Sequence, residues 1–175
     1  MNDALRDRVL AVAGRLLRED GPQGLTNRRI ASLADTTTMA IYSRFGGKAG
    51  VLQALYEEGV DVLSAAQRAV PPGPDEARTL CRAFRAAALA HPGHYTLLFG
   101  SVPGWTPSGD QRLRLLGAFG RLRAACGESD ALAWALFVGC HGHVSLELAG
   151  YVVPGADPGE RFEDLLDRII GPGTV

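Results

Sequence analysis

The chain has 175 residues, 46% of them hydrophobic and 21% charged, which is enough apolar material to bury a core. No apolar run approaches the ~20 residues that a membrane span needs, and Met1 to Asp7 is too polar, and too mixed in charge, for a secretory signal. Cys81, Cys126 and Cys140 are odd in number and far apart, which argues against a disulfide framework and for a reducing cytoplasm. The net charge of −1 hides an asymmetry. Residues 1–50 carry eight basic and five acidic side chains, whereas the remainder carries ten and fourteen. A mildly basic head on an acidic body suits a small DNA reader joined to a second domain. Seventeen of the eighteen basic residues are arginine, and Lys48 is the single lysine.

In chain order, the pattern predicts helices throughout. Leu5, Val9, Val12, Ala13, Leu16 and Leu17 recur at helical spacing over 4–20, and Gly21-Pro22-Gln23-Gly24 stops that helix. Thr26 is a good N-cap for a short helix carrying Ile30, Ala31, Leu33 and Ala34. After a turn at Asp35-Thr36-Thr37, a second short helix runs from Thr38 to Arg44, and Gly46-Gly47 breaks it. Lys48 opens a long helix that reaches about Val70 and ends at Pro71-Pro72-Gly73-Pro74. Two short helices joined by a tight turn and braced by longer ones make a helix-turn-helix. Helices this short are unstable alone, so Ile30, Ala31, Leu33, Ile41 and Phe45 must pack to hold them.

Beyond it, helices are predicted over 75–90, His94 to Phe99, Asp110 to Cys126, 130–150 and Gly159 to Ile170. His91-Pro92-Gly93 forms a corner in which His91 suits a cap. Ser101 to Gly109 and Tyr151 to Pro158 form loops. The expected fold is therefore all-α, with about nine helices. A three-helix head over 1–47 is joined by the helix 48–70 to a helical-bundle domain within 48–175. The segment 130–150 is apolar on most faces and calls for a partner as well as a core. Leu165, Leu166, Ile169 and Ile170 give the last helix an apolar face, while Glu160, Glu163 and Asp164 read as an acidic first turn and a solvated side.

Gly24-Leu25-Thr26-Asn27-Arg28-Arg29-Ile30-Ala31, then Ala34, then Ile41-Tyr42-Ser43-Arg44-Phe45-Gly46-Gly47-Lys48 form an ordered set. It resembles the signature of the TetR family of transcriptional regulators over about residues 5–55. Three positions depart from it. The family's turn glycine is Asp35, a residue type that tolerates a left-handed backbone. Its Val-Ser pair is Thr36-Thr37, where Thr37 still caps. Its common histidine before the aromatic is Arg44. The resemblance implies DNA contacts from Thr26, Asn27, Arg28, Thr37, Thr38, Met39, Tyr42, Arg44 and Lys48. Tyr42, Arg44 and Lys48 suit phosphate oxygens. Thr37, Thr38 and Met39 are short or apolar and suit thymine methyls, leaving bidentate base reading to Asn27 and Arg28.

His91 to Gly100, and Trp134 through His141-Gly142-His143 to Gly150, are similar to a subgroup's ligand domain named for Trp, His and Gly. That resemblance implies a pocket lined by His94, Tyr95, Phe99, Trp105, Trp134, Phe137 and His141, for a mostly apolar effector. It also implies a homodimer through the last two helices, a palindromic operator, no cofactor and a cytoplasmic, membrane-free location. His141 and His143, two apart on a helix, point about 200° apart and cannot share an ion, so no metal site is assigned. No phosphate-cradling glycine loop, nucleophile elbow or catalytic carboxylate pair marks an enzyme. The first reading is a ligand-released repressor. A metal or redox sensor built on Cys140 and the histidines, and a helical ligand-binding protein without DNA binding, stand as alternatives.

Overall fold

The computed structural model describes residues 3–151 and 154–173. Met1 and the Val152-Val153 pair of the 151–158 loop lie outside the described residues. Among the latter there are nine α-helices and no strand beyond a single bridge between Val102 and Trp105, so the fold is all-α. The helices are α1 (Asp3–Asp20), α2 (Asn27–Leu33), α3 (Thr38–Phe45), α4 (Lys48–Arg68), α5 (Glu76–Ala90), α6 (Pro92–Phe99), α7 (Gly109–Ala125), α8 (Asp130–Leu148) and α9 (Pro158–Ile170). The residues form two compact units. One comprises 1–61 and 91–112, and the other 62–90 and 113–175. The chain passes from one to the other three times, inside α4, between α5 and α6, and inside α7.

The first unit holds α1, α2, α3, the first part of α4, and α6. Val9, Ala13, Leu16 and Leu17 of α1, Ile30 and Ala31 of α2, Ile41 of α3, and Val51, Leu52, Leu55 and Tyr56 of α4 are all buried. Leu33, which the pattern assigns to packing, is instead 47% exposed. Helix α6 starts two residues earlier than the pattern suggests, with Pro92 in its first turn, where a missing N–H costs nothing. His91 precedes it, but its side chain makes no capping hydrogen bond. Gly93 lets α6 seat against α1, because a Cβ there would come within 2.7 Å of the Leu17 carbonyl oxygen.

In the second unit α8 packs against α5 and α9. Ala133, Leu136, Cys140 and Val144 point inward from α8 and are buried. Phe162 and Leu166 do the same from α9. Leu166 is fully buried, so it belongs to the chain's own core and not to a face left for a partner. Leu165 and Ile169 close on α8 at Gly139, where a Cβ would lie 3.4 and 3.2 Å from their methyl groups.

Charge also ties these helices together. Arg78, only 4% exposed, reaches Glu163 at 3.1 Å and Asp167 at 2.8 Å. Arg82 grips both oxygens of Glu163 at 2.7 and 2.8 Å. Arg85 grips Glu147 at 2.9 and 2.6 Å. Forked contacts of this kind are the strong form of the ion pair. Glu163 is thus not the solvated acid that its place in the sequence suggests. Arg121 of α7 caps the end of α4, donating to the carbonyls of Gln67 and Val70 while it pairs with Glu76 at 2.9 Å.

Helix α8 also qualifies the sequence reading on membranes. It is long and apolar enough to cross one by length and composition, with a mean hydropathy of 1.2, and 22% of that stretch is buried. One such helix is weak evidence for a span. The Glu147 carboxylate within it is committed to Arg85 of a neighbouring helix.

Arg82 hydrogen-bonding to Glu163, aided by Arg78 and opposed by burial, holds that carboxyl below its ordinary value of 4.5. A group depressed in the folded state stabilises fully above its unfolded value, and that contribution is lost as pH falls through the folded one. Wild type is therefore expected to melt higher than Glu163→Gln at pH 7, with the gap closing as the pH drops below about 4.5. Thermal unfolding followed by circular dichroism between pH 7 and 3 measures this. A gap independent of pH would show that the ion pairs do not hold α9.

Candidate nucleic-acid interface

Each short helix of the head begins with a threonine that satisfies an amide its own helix cannot. Thr26 Oγ1 accepts from the Arg29 N–H at 3.2 Å, and Thr37 Oγ1 from the Ala40 N–H at 3.1 Å. Between them the backbone turns at Asp35, which has a φ of 47°. Asp35 thus takes the left-handed conformation that the sequence requires of it. The turn is closed by the Thr36 N–H donating to the Ala31 carbonyl at 3.0 Å. Gly46, at φ 72°, then ends α3.

This construction presents one face of α3. Met39 is 76% exposed and Tyr42 56%, and Thr37, Thr38 and Ser43 are exposed beside them. Ile41, on the opposite side, is wholly buried. Apolar and hydroxyl side chains presented together on one helix face suit contact with base edges and thymine methyls in a major groove. Tyr42 leans on Gly47, where φ is 92° and a Cβ would come within 2.9 Å of the Tyr42 ring and 3.4 Å of Asn27 Nδ2. Asn27, Tyr42 and the Gly47-Lys48 start of α4 therefore meet at one place. Lys48 is half-buried there.

The arginines divide by what holds them. Arg29 is engaged within the protein, pairing with Asp20 at 2.6 Å. Arg28 is exposed and lines a shallow depression of about 400 Å³ with Thr26, Arg29, Ser32 and Leu33. Arg44 is exposed at the last turn of α3. Arg6, which the sequence pattern does not single out, lies over the Phe45 ring at 5.3 Å.

The residues read from the sequence as a pocket are shared between the two units. His94, Tyr95, Phe99 and Trp105 are in the first. There Trp105 lies 5.8 Å from the buried Tyr56 ring, and Tyr95 lies 5.0 Å from Phe99. His94 is 5% exposed and 3.8 Å from Glu58, an ion-pair distance too long for a direct hydrogen bond. Trp134, Phe137 and His141 are in the second unit. Phe137 is 5.7 Å from Trp134 and stacks on His141 at 6.0 Å with an interplanar angle of 17°. Phe119 and Phe84 complete this cluster at 6.0 and 6.3 Å from Phe137. The sequence reading misses both, although each lies on the apolar stripe of a predicted helix. Burial pushes the His141 imidazole below its ordinary pKa.

His143 turns elsewhere, to the Phe162 ring at 5.2 Å and Glu147 at 3.6 Å, so the two histidines do separate. Cys140 is buried beside Cys81, whose thiol is pushed far up by a hydrogen bond with Cys140 and by burial. Among the described residues no group of three or more His, Cys, Asp or Glu side chains is arranged to hold a metal ion. A buried thiol raised in this way, as that of Cys81 is, is a poor nucleophile and metal ligand.

A two-helix reader braced by α1 and α4, with a second helical unit behind it in the chain, defines a helix-turn-helix regulator. Comparison with known proteins gives the family. Residues 9–55 match the model of the bacterial regulatory proteins of the tetR family, and residues 77–169 match a tetracyclin repressor-like C-terminal domain. The chain belongs to the TetR family of transcriptional regulators. Among solved structures it resembles a protein of Streptomyces coelicolor A3(2) described as a possible TetR family transcriptional regulator. The identity is 31%, with 87% of this chain and 76% of that one covered, at a TM-score of 0.60. It also resembles the TetR family regulator PfmR of Thermus thermophilus, at 17% identity, 97% and 98% coverage and a TM-score of 0.70. A singly substituted TetR of Acinetobacter baumannii AYE in complex with minocycline aligns at 24% identity, 93% and 92% coverage and a TM-score of 0.65. No curated protein matches the chain.

The turn at Asp35 gives a direct check on the head. A β-branched residue at positive φ carries strain of about 1–3 kcal/mol, whereas glycine relieves strain at an entropic cost of about 0.5–1 kcal/mol. Asp35→Val is expected to lower stability by about that strain, and Asp35→Gly to leave it nearly unchanged. Denaturant unfolding of the three proteins tests this. Equal stability of the valine and glycine variants would contradict the left-handed turn.

Proposed function

We propose that the protein is a non-enzymatic, cytoplasmic repressor that binds palindromic operator DNA as a homodimer and is released by a small, mostly apolar effector. The observation that carries this reading is the outward face of α3, where Met39 and Tyr42 stand clear of a core that holds Ile41. In the major groove, Thr37, Thr38 and Met39 would meet thymine methyls, and Arg28 and Asn27 would supply the hydrogen-bonding forks. Tyr42, Arg44 and Lys48 would take phosphates, which fix register without reading sequence. Thr26 stands beside them at the cap of α2.

The dimer is supported by α8. Trp134, Val138 and Leu146 are 57%, 48% and 55% exposed along one broad side of that helix. Leu165, Ile169 and Ile170 on α9 are half-buried. Burying a large apolar side chain is worth about 1.5–3 kcal/mol, so an isologous contact repeats a substantial gain on both protomers. The second unit supplies aromatic walls for an effector at Phe119, Trp134, Phe137 and His141, with the imidazole as a polar handle. The first supplies His94, Tyr95, Phe99 and Trp105. An effector that lowers operator affinity a hundredfold must bind the two states with a difference of about 2.7 kcal/mol, and operator must weaken it equally. Since the chain crosses between the units three times, α4 is one of three covalent routes for that coupling.

Gel-shift titrations over a range of salt test the reading. Lys48→Ala and Tyr42→Phe are expected to weaken binding to all duplexes alike, with Lys48→Ala lowering the salt slope by about 1. Leu146→Arg is expected to yield a folded monomer by light scattering that no longer binds the palindrome tightly. Unaltered binding by both head variants, or a monomeric wild type at micromolar concentration, would overturn this reading.

A further inference from the structure

We infer that Arg6, on α1, is a DNA-backbone contact held in place by the aromatic ring that ends the recognition helix. The inference rests on the DNA-binding reading and adds to it a residue from outside the two short helices and their connectors. Three observations carry it. The Arg6 guanidinium lies over the Phe45 ring, its Cζ atom 5.3 Å from the centroid. Phe45 is the last residue of α3, so the cation is fixed at the C-terminal end of that helix, on the approach to Lys48. Arg6 is exposed, and no carboxylate among the described residues pairs with it, whereas Arg29 in the same unit is paired with Asp20 at 2.6 Å.

The local electrostatics point the same way. Arg6 falls in the first turn of α1, where the positive end of the helix dipole disfavours a cation. Among the described side chains no acid neutralises that charge. A guanidinium over an aromatic ring spends none of its five N–H donors as hydrogen bonds to a carboxylate. An exposed guanidinium held over a ring is restricted in its freedom, and so is pre-organised for a phosphate. With α3 in the major groove, the groove walls are the two phosphate chains. A cation at the end of α3 meets one of them.

The test uses the full-length chain with operator and with random-sequence duplex. Arg6→Met removes the charge and keeps an apolar side chain against Phe45, while Arg6→Lys keeps the charge. The result expected is a fall of about 1 in the slope of log affinity against log salt for Arg6→Met, on both duplexes, and a wild-type slope for Arg6→Lys. A slope in Arg6→Met equal to that of wild type overturns the inference and leaves the DNA-binding reading standing. A wild-type chain that binds neither duplex overturns both. Should Arg6→Met melt too low for titration, wild type and Arg6→Lys are compared on operators with single phosphates replaced by neutral methylphosphonates. Wild type is expected to lose affinity at one phosphate per half-site more than the set blunted by Lys48→Ala, Tyr42→Phe and Arg44→Ala accounts for. Sensitivity confined to that set overturns the inference.

Discussion

Helices of seven and eight residues cannot hold their own shape in water, because a nucleus is costly and so few hydrogen bonds follow it. α2 and α3 are of that length, and their persistence depends on Ile30, Ala31 and Ile41 entering a core that α1 and α4 provide. Everything functional in the head follows from this. Once Ile41 is fixed inward, the helical period turns Met39 and Tyr42 outward, and Thr38 is exposed at the open first turn. The two threonine caps and the left-handed turn at Asp35 set the angle at which that face is offered. Gly47 brings Tyr42 and the start of α4 together where any side chain would keep them apart. The exposed residues of α3 are therefore positioned by backbone constraints and by the core behind them.

The second unit solves a different problem. α8 is apolar on more sides than its own chain can cover, so Ala133, Leu136, Cys140 and Val144 are buried while Trp134, Val138 and Leu146 are not. Such a helix has few ways to fix its rotation by hydrophobicity alone. The forked pair of Arg85 with Glu147 sets it, since a half-buried carboxylate must face its partner. Arg78 and Arg82 do the same for α9 through Glu163 and Asp167. Three arginines on one face of α5 thus register two otherwise slippery helices.

Much of this is legible in the residues. Helical spacing, capping threonines, and proline and glycine stops place all nine described helices, with ends shifted by one or two residues. The left-handed Asp35 follows from a turn that has no glycine to use. What escapes is long-range. Glu163 reads as a solvated acid because its partners lie about eighty residues earlier, although Arg78, Arg82 and Arg85 recur at helical spacing and could have prompted a search for facing acids. Leu166 reads as part of an apolar face that either a partner or the core could cover, because periodicity says which residues share a side and not what covers it. Arg6 carries no local signal at all. Its significance comes from a ring almost forty residues away. His94 and His141 look alike in sequence as pocket candidates. Their neighbours, Glu58 for one and Phe137 for the other, belong to different units.

The central claim is that two copies of this head read DNA together through α3. Selection of bound duplexes from a random library by the purified full-length protein, sequenced after several rounds, tests it most directly. The account expects enrichment of an inverted repeat whose half-sites are set about one helical turn apart, or a related spacing, with thymine-rich positions where Met39 and the threonines lie. Recovery of no preferred sequence at low salt, or of a single unrepeated site, would contradict it.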